Sequence, residues 1–149
     1  LWMTGLTYYD PWYQKAPALH KGTGVLLFVL VAVRLFWRLA SPQPRPLTSH
    51  ARWELRPAAA VHTLLYVLLF AVMAAGYLIS TADGRPLEVF GLFAVPATVS
   101  GLEHQEDIAG TVHLALAWTL VGLALFHGAA ALKHHYLDRD RTLLRMLGR

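Results

Sequence analysis

Long apolar runs alternate along the chain with short polar, charged or proline-rich ones, and this pattern predicts membrane helices. The last run, Ile108 to Leu132, holds twenty-five residues without Asp, Glu, Lys or Arg. A bilayer crossing needs about 20 such residues. Ala58 to Ala82 is equally free of charge. The first run is clean from Gly22 to Val33 and is bounded by Lys21, Arg34 and Arg38, whose long side chains can snorkel to the interface. Helices are expected at about 18–40, 58–82 and 108–133. The fold class is all-α, a transmembrane helical bundle forming one membrane-embedded domain over 1–149. Leu1 to Leu6 reads as the tail of a further apolar helix, so three membrane helices are visible and four are expected in the intact protein.

The connections set the orientation. Thr7 to Pro17 is rich in Tyr, Trp and Pro, the composition of an aromatic belt at the membrane–water boundary. Ser41 to Pro57 carries Arg45, Arg52 and Arg56 against Glu54, and its prolines exclude a continuous helix. Asp83 to Asp107 is acidic, with Asp83, Glu88, Glu103, Glu106 and Asp107 against Arg85. Within it, Leu87 to Val95 is expected to form a short amphipathic turn or helix at the interface. Lys133 to Arg149 is basic again. By the positive-inside rule the two basic segments face the cytoplasm and the acidic one faces outward. This predicts a multi-pass membrane protein with a cytoplasmic C-terminus.

Charge and cysteine content narrow the chemistry. A net charge of +4 could suggest nucleic acid, but the basic residues flank apolar runs, and membrane orientation accounts for them better. The chain has no cysteine. That excludes disulfides, iron–sulfur clusters, thiolate zinc sites and covalent C-x-x-C-H haem attachment.

Histidine is left to carry the chemistry. His113 and His127 are fourteen residues apart in one uncharged run, so they return to within about 40° of each other and lie roughly 21 Å apart along a helix. Ala117, Leu120 and Ala124 fall between them on the same face. A single histidine in a membrane helix can simply bond a neighbouring helix. Two on one stripe point further, because polar groups in hydrocarbon are costly and usually functional. They suit axial ligation of two stacked b-type haems, whose iron accepts imidazole nitrogen.

The other runs carry partners at matching depths. His20 opens the first helix, with Gly24 one turn on, and Arg34 returns to the His20 face at the far end. Arg34 can snorkel, or its guanidinium can pair with a haem propionate. His62 starts the second helix, and Gly76 shares its face at the other end. Geometry therefore pairs His20 with His113 at the outer surface and offers His62 as a partner for His127 at the inner one. Gly76 would clear room at the outer site. His134 and His135 are adjacent and point about 100° apart on a helix, which suits interface roles.

Several segments together resemble the bacterial di-haem cytochrome b561 family. They are His20-K-G-x-G, V-R-L-x-x-R-L from Val33 to Leu39, V-H-T-L-L-Y from Val61 to Tyr66, and F-H-G-A-A-A-L-K-H-H-Y from Phe126 to Tyr136, followed by T-L-L-R-M from Thr142 to Met146. The resemblance implies a four-helix membrane bundle with two b haems that passes electrons between quinone and a second redox partner in a respiratory chain. One branch is a superoxide oxidase that reduces ubiquinone. Carried over by motif, His20 and His113 match the metal ligands of the outer haem, and His127 matches one ligand of the inner haem. The family's fourth ligand sits on a first helix that this sequence does not contain. His62 matches a recurring histidine that the family does not count as a ligand, so resemblance and geometric pairing differ there.

Three functions compete on the sequence. The first is an electron-transfer cytochrome that exchanges electrons with quinone. The second is a haem-bearing membrane anchor subunit of a hydrogenase or dehydrogenase. The third is a transporter or proton path without haem. For the superoxide branch, the acidic outer loop would repel an approaching anion, although Lys15, Lys21 and Arg85 could offer a local positive path.

Overall fold

The structure, a computed structural model, describes residues 3–42 and 52–137, with the side chains of Thr4, residues 52–58 and His134 outside that description. Most of the first basic connection and the basic tail beyond Leu137 fall outside the described residues. A single 3₁₀ turn at Met3–Gly5 leads into helix α1, Lys15–Ala40. Helix α2 is Arg52–Ser80 and α3 is Gln105–Tyr136. These helices have 26, 29 and 32 residues, or about 39–48 Å at 1.5 Å per residue, against a hydrocarbon core of about 30 Å.

The apolar spans within them are Lys15–Ala40, Ala59–Ser80 and Gln105–Lys133, each long and apolar enough to cross a membrane. Helix α2 extends past its span at the N-terminal end and α3 at the C-terminal end. Helix α2 begins at Arg52 rather than after Pro57, so Pro57 lies inside it, where the missing N–H leaves one helix bond unmade. Helices α2 and α3 pack most extensively, and α1 lies against α2. Among the described residues the core is thin: Val31, Leu68, Val72, Ala75 and Ala109 are buried. Leu30, Phe36, Trp118, Leu125 and Phe126 point outward and are exposed. An apolar periphery around a small-residue interior is how membrane helices meet lipid and each other.

The α2–α3 connection departs from the expected turn or helix. Leu87–Val89 (β1) and Phe93–Val95 (β2) form an antiparallel hairpin with Leu87 opposite Val95 and Val89 opposite Phe93. The segment L-E-V alternates apolar and polar with period two, and Leu87 and Val89 are buried while Glu88 is exposed. That is strand periodicity, not helix periodicity. At the turn, Phe90 and Gly91 both take positive φ, 52° and 71°, and Leu92 N–H bonds the Val89 carbonyl at 2.9 Å. Two left-handed residues in succession favour a tight hairpin over a helical turn.

Buried polar groups fasten the rest of this connection to the bundle. Thr81 is fully buried, and its hydroxyl shares one proton between the Tyr77 and Val99 carbonyls, each at 3.0 Å. The Gln105 amide donates to the Leu78 and Val99 carbonyls at 3.0 and 3.2 Å, while its oxygen accepts from Leu102 N–H. The Tyr77 hydroxyl donates to the Pro96 carbonyl and accepts from Thr98 N–H, both at 2.7 Å. Thr81 and Gln105 are buried with their polar atoms paired, and such paired groups rigidify what they join. The end of α2 and the start of α3 are thereby held in fixed register, which positions His113 two turns into α3.

Candidate functional site

The bundle brings the four intramembrane histidines together as two pairs. At the end where α1 begins, the rings of His20 and His113 stand edge to face with centroids 6.1 Å apart. At the opposite end, the rings of His62 and His127 stand 4.9 Å apart. The helical rise between His113 and His127 separates the two levels by roughly 21 Å. Phe28 of α1 and Phe70 of α2 stack edge to face at 5.5 Å, between the two histidine levels of the sequence.

The two pairs differ in what they can hold. With a metal–nitrogen bond of about 2.0–2.1 Å and a ring radius of roughly 1.1 Å, imidazoles on opposite sides of one metal have centroids about 6 Å apart. The His20–His113 pair has that spacing. The His62–His127 pair is about 1 Å too close and makes a direct ring contact instead.

The tautomer of His113 follows from its neighbour. Its Nδ1 lies 2.8 Å from the Val72 carbonyl oxygen, which can only accept, so Nδ1 carries the proton. Nε2 is then left with its lone pair, the form a metal-binding histidine needs, and the bond to the carbonyl fixes the ring. A small residue makes this approach possible. A Cβ at Gly76 would meet His113 Cε1 at 3.1 Å and Nδ1 at 3.3 Å. Gly24, one turn after His20, faces open space. The outer pair therefore has ligand spacing, a set tautomer and room, and it fits an iron porphyrin.

At the other end, Arg34 of α1 reaches α2, where its Nε donates to the Tyr66 hydroxyl at 3.2 Å. The Arg38 guanidinium lies 5.8 Å from the Tyr66 ring centroid, within cation–π range. Two guanidinium groups thus gather on Tyr66, one turn from His62. The sequence placed Arg34 at this depth, but it did not mark Tyr66 as its partner. No periodicity could reveal that its hydroxyl is the acceptor for Arg34. His135 is half-buried against Tyr136, ring centroids 4.8 Å apart.

Electrostatics at the acidic end are also specific. Arg85 forms an ion pair with Asp83, and the hydrogen bond from the Arg85 side chain holds the Asp83 carboxyl below the usual carboxylate range. The positive charge of Arg85 is therefore spent locally. His104 and Glu103 form a solvent-exposed contact at 3.6 Å.

Comparison with known proteins agrees with this arrangement. The prokaryotic cytochrome b561 family matches residues 1–149. The chain is 53% identical to cytochrome b561 homolog 2 of Escherichia coli K12 over 149 residues, covering 100% of this chain and 79% of that protein. It is 28% identical over 132 residues to cytochrome b561 homolog 1 of the same organism, covering 87% of this chain and 73% of that protein. It is 31% identical over 142 residues to the Yersinia pestis protein named Probable superoxide oxidase CybB, covering 93% of this chain and 77% of that protein. Matched along its whole length, the chain belongs to the prokaryotic cytochrome b561 family of membrane electron-transfer proteins, a family that implies b-type haem.

Proposed function

We propose that the chain holds one b-type haem between His20 and His113, contributes His127 as one ligand of a second, and exchanges electrons with quinone. The observation that carries this reading is the outer pair: centroids 6.1 Å apart, with the His113 Nδ1 proton committed to the Val72 carbonyl. When bound, the haem supplies a one-electron couple at its iron. The protein's part is to orient two imidazoles, exclude water from them and set the surrounding charge. His113 does the first through α2, because Val72 and Gly76 fix its ring from one side. Arg34, held by Tyr66, is placed to meet an anionic propionate at the inner end, and His62 supports His127 by direct ring contact. The basic first connection and tail favour an inner-membrane protein with both on the cytoplasmic side.

A second reading draws on the relative named as a superoxide oxidase: oxidation of superoxide with quinone as acceptor. Neutralisation of Arg85 by Asp83 leaves Lys15 and Lys21 as the cations at that end able to attract an anion. A third reading, a haem-bearing anchor subunit, would show itself by co-purification of a hydrogenase or dehydrogenase.

The test is a reduced-minus-oxidised spectrum of the purified protein with haem-to-protein stoichiometry. Split α bands of low-spin haem are expected, and a sample without a Soret band would overturn the proposal. Quinone reduction by the dithionite-reduced protein tests the electron partner.

A further inference from the structure

The hairpin β1–β2 has a position that neither haem binding nor electron transfer requires. Its turn residue Phe90 packs onto α1 at Gly22, where an added Cβ would meet the Phe90 ring at 2.7 Å. Gly22 lies two residues after His20, about 160° around the helix from it. Val31 lies eleven residues after His20 and returns to within about 20° of it, and Val31 is buried. The face of α1 that carries His20 and Val31 therefore points into the bundle. The face that carries Gly22 points away from it, and the hairpin has crossed over to cover that side.

The depth of the hairpin follows from the same contact. Gly22 is seven residues inside the start of α1 at Lys15, about 10 Å along its axis. The turn thus reaches below the level of Trp12 and Tyr13, the aromatic residues just before the helix. Leu87 and Val89 are buried at 5% and 3% exposure, yet Leu92 is 81% exposed and Phe93, directly opposite Val89, is 57% exposed. From Val89 to Val95 the sequence V-F-G-L-F-A-V contains no charged or polar side chain.

Two physical limits bracket where such a segment can sit. A two-stranded sheet has open edges with unpaired backbone groups, and these do not occur facing lipid in the hydrocarbon core. An uncharged turn with exposed Leu and Phe on the outward side of a membrane helix is equally poorly placed in bulk water. The boundary between headgroups and acyl chains satisfies both, because the backbone meets headgroups and water while the side chains meet acyl carbon. This surface is continuous with the lipid-facing side of α1, where Leu19 and Leu26 are exposed on either side of Gly22.

We infer that the β1–β2 hairpin is an interfacial membrane anchor, its Leu92 and Phe93 inserted among the acyl-chain ends of the leaflet nearest His20. The hairpin's two strands then have separate tasks. Leu87, Val89 and Phe90 grip α1, and Leu92 and Phe93 grip the bilayer. The acids around it, with Glu88 exposed on β1, oppose anionic headgroups, so the surface it fits is zwitterionic and the contact is apolar.

The chain has no cysteine, so one introduced thiol takes a nitroxide label at a single position. The full-length protein carrying Leu92→Cys or Phe93→Cys is labelled and reconstituted in phosphatidylcholine vesicles. Collision with oxygen, which concentrates in lipid, is compared with collision with a water-soluble nickel chelate. Phe36→Cys, on the exposed face of α1, gives the lipid reference, and Glu103→Cys gives the aqueous one. Both hairpin labels should favour oxygen as Phe36→Cys does, with no change on raising salt. A nickel preference like that of Glu103→Cys overturns the anchor, and shielding from both reagents overturns it too by showing that protein covers the hairpin. If one variant fails to fold, judged by its haem spectrum, the other decides the question.

Discussion

His113 is tied to Val72 by one short hydrogen bond, Nδ1 to carbonyl oxygen at 2.8 Å. The acceptor is four residues from Gly76, whose missing side chain lets the imidazole reach it. Helix α2 therefore shapes the His20–His113 pair from beside it. Its carbonyl selects the tautomer and its glycine supplies the clearance, while α1 and α3 bring the two nitrogens.

The pairing of His20 with His113 has a direct consequence. On the proposed ligation, replacing either with Ala removes one of two axial nitrogens from the same iron. His20→Ala and His113→Ala should each abolish or convert to high spin the same low-spin haem signal, and leave the other largely intact. Electron paramagnetic resonance of the oxidised variants checks this. Different signals lost in the two variants would disprove the pairing.

Gly76 separates site geometry from stability. Alanine is favoured over glycine in a helix by about 1 kcal/mol, so Gly76→Ala should not weaken α2 through propensity. The added Cβ would stand 3.1 Å from His113 Cε1, and the ring must give by a few tenths of an ångström. The expected result is near-wild-type thermal stability with a shifted outer-haem midpoint potential. Gly76→Leu should lose that haem. An unchanged potential in Gly76→Ala would show that the ring yields freely.

Arg34 bears on the inner end. A positive charge near an iron favours its reduced form, so Arg34→Gln should lower the inner-haem potential. At a separation of order 10 Å and an effective dielectric near 20, the effect is about 1–2 kcal/mol before solvent screening, or tens of millivolts. Arg34→Lys keeps the charge and should recover most of the shift. Redox titration resolves the two haems. Tyr66→Phe, which removes the acceptor of Arg34 Nε, should move the same potential in the same direction by less.

Orientation rests on loop charge, so topology reporters test it. A fusion after Arg149 should report cytoplasm, and one inserted at Glu103 should report the opposite side. Reversed signals would exchange inner and outer throughout.

Much of this architecture was legible in order of periodicity. Uncharged runs located the three spans because length and hydropathy are local properties. The fourteen-residue spacing set His113 and His127 at two depths because a helix converts number into height and angle, and His20 and His62 took theirs from the ends of the helices they open. What sequence could not supply was distance across helices. That His20 and His113 stand 6.1 Å apart while His62 and His127 stand 4.9 Å apart depends on helix packing. The hairpin was missed for another reason. Leu87 to Val95 is too short for either period to dominate, and the left-handed Phe90 that decides it is a residue type rarely found there. The Tyr66 hydroxyl and the Val72 carbonyl were invisible because one lies on a side chain usually used for packing and the other belongs to the backbone.

The last question is what His62 does for His127. Both lie at the inner end of their helices, and depth alone would make them a ligand pair. Their ring centroids are 4.9 Å apart, about 1 Å less than two imidazoles on opposite sides of one metal require. The family pattern likewise leaves His62 outside the ligand set. His62 should therefore act on the inner site through contact with His127, setting its ring orientation and the polarity around it. His62→Ala should keep the haem content of the wild type and shift only the inner-haem potential. His62→Gln, which keeps a polar group of similar reach, should shift it less. His127→Ala, in contrast, should lose the inner haem outright. If His62→Ala costs one haem per protein, His62 is the axial partner of His127, and the two helices must move apart by about 1 Å to admit the iron.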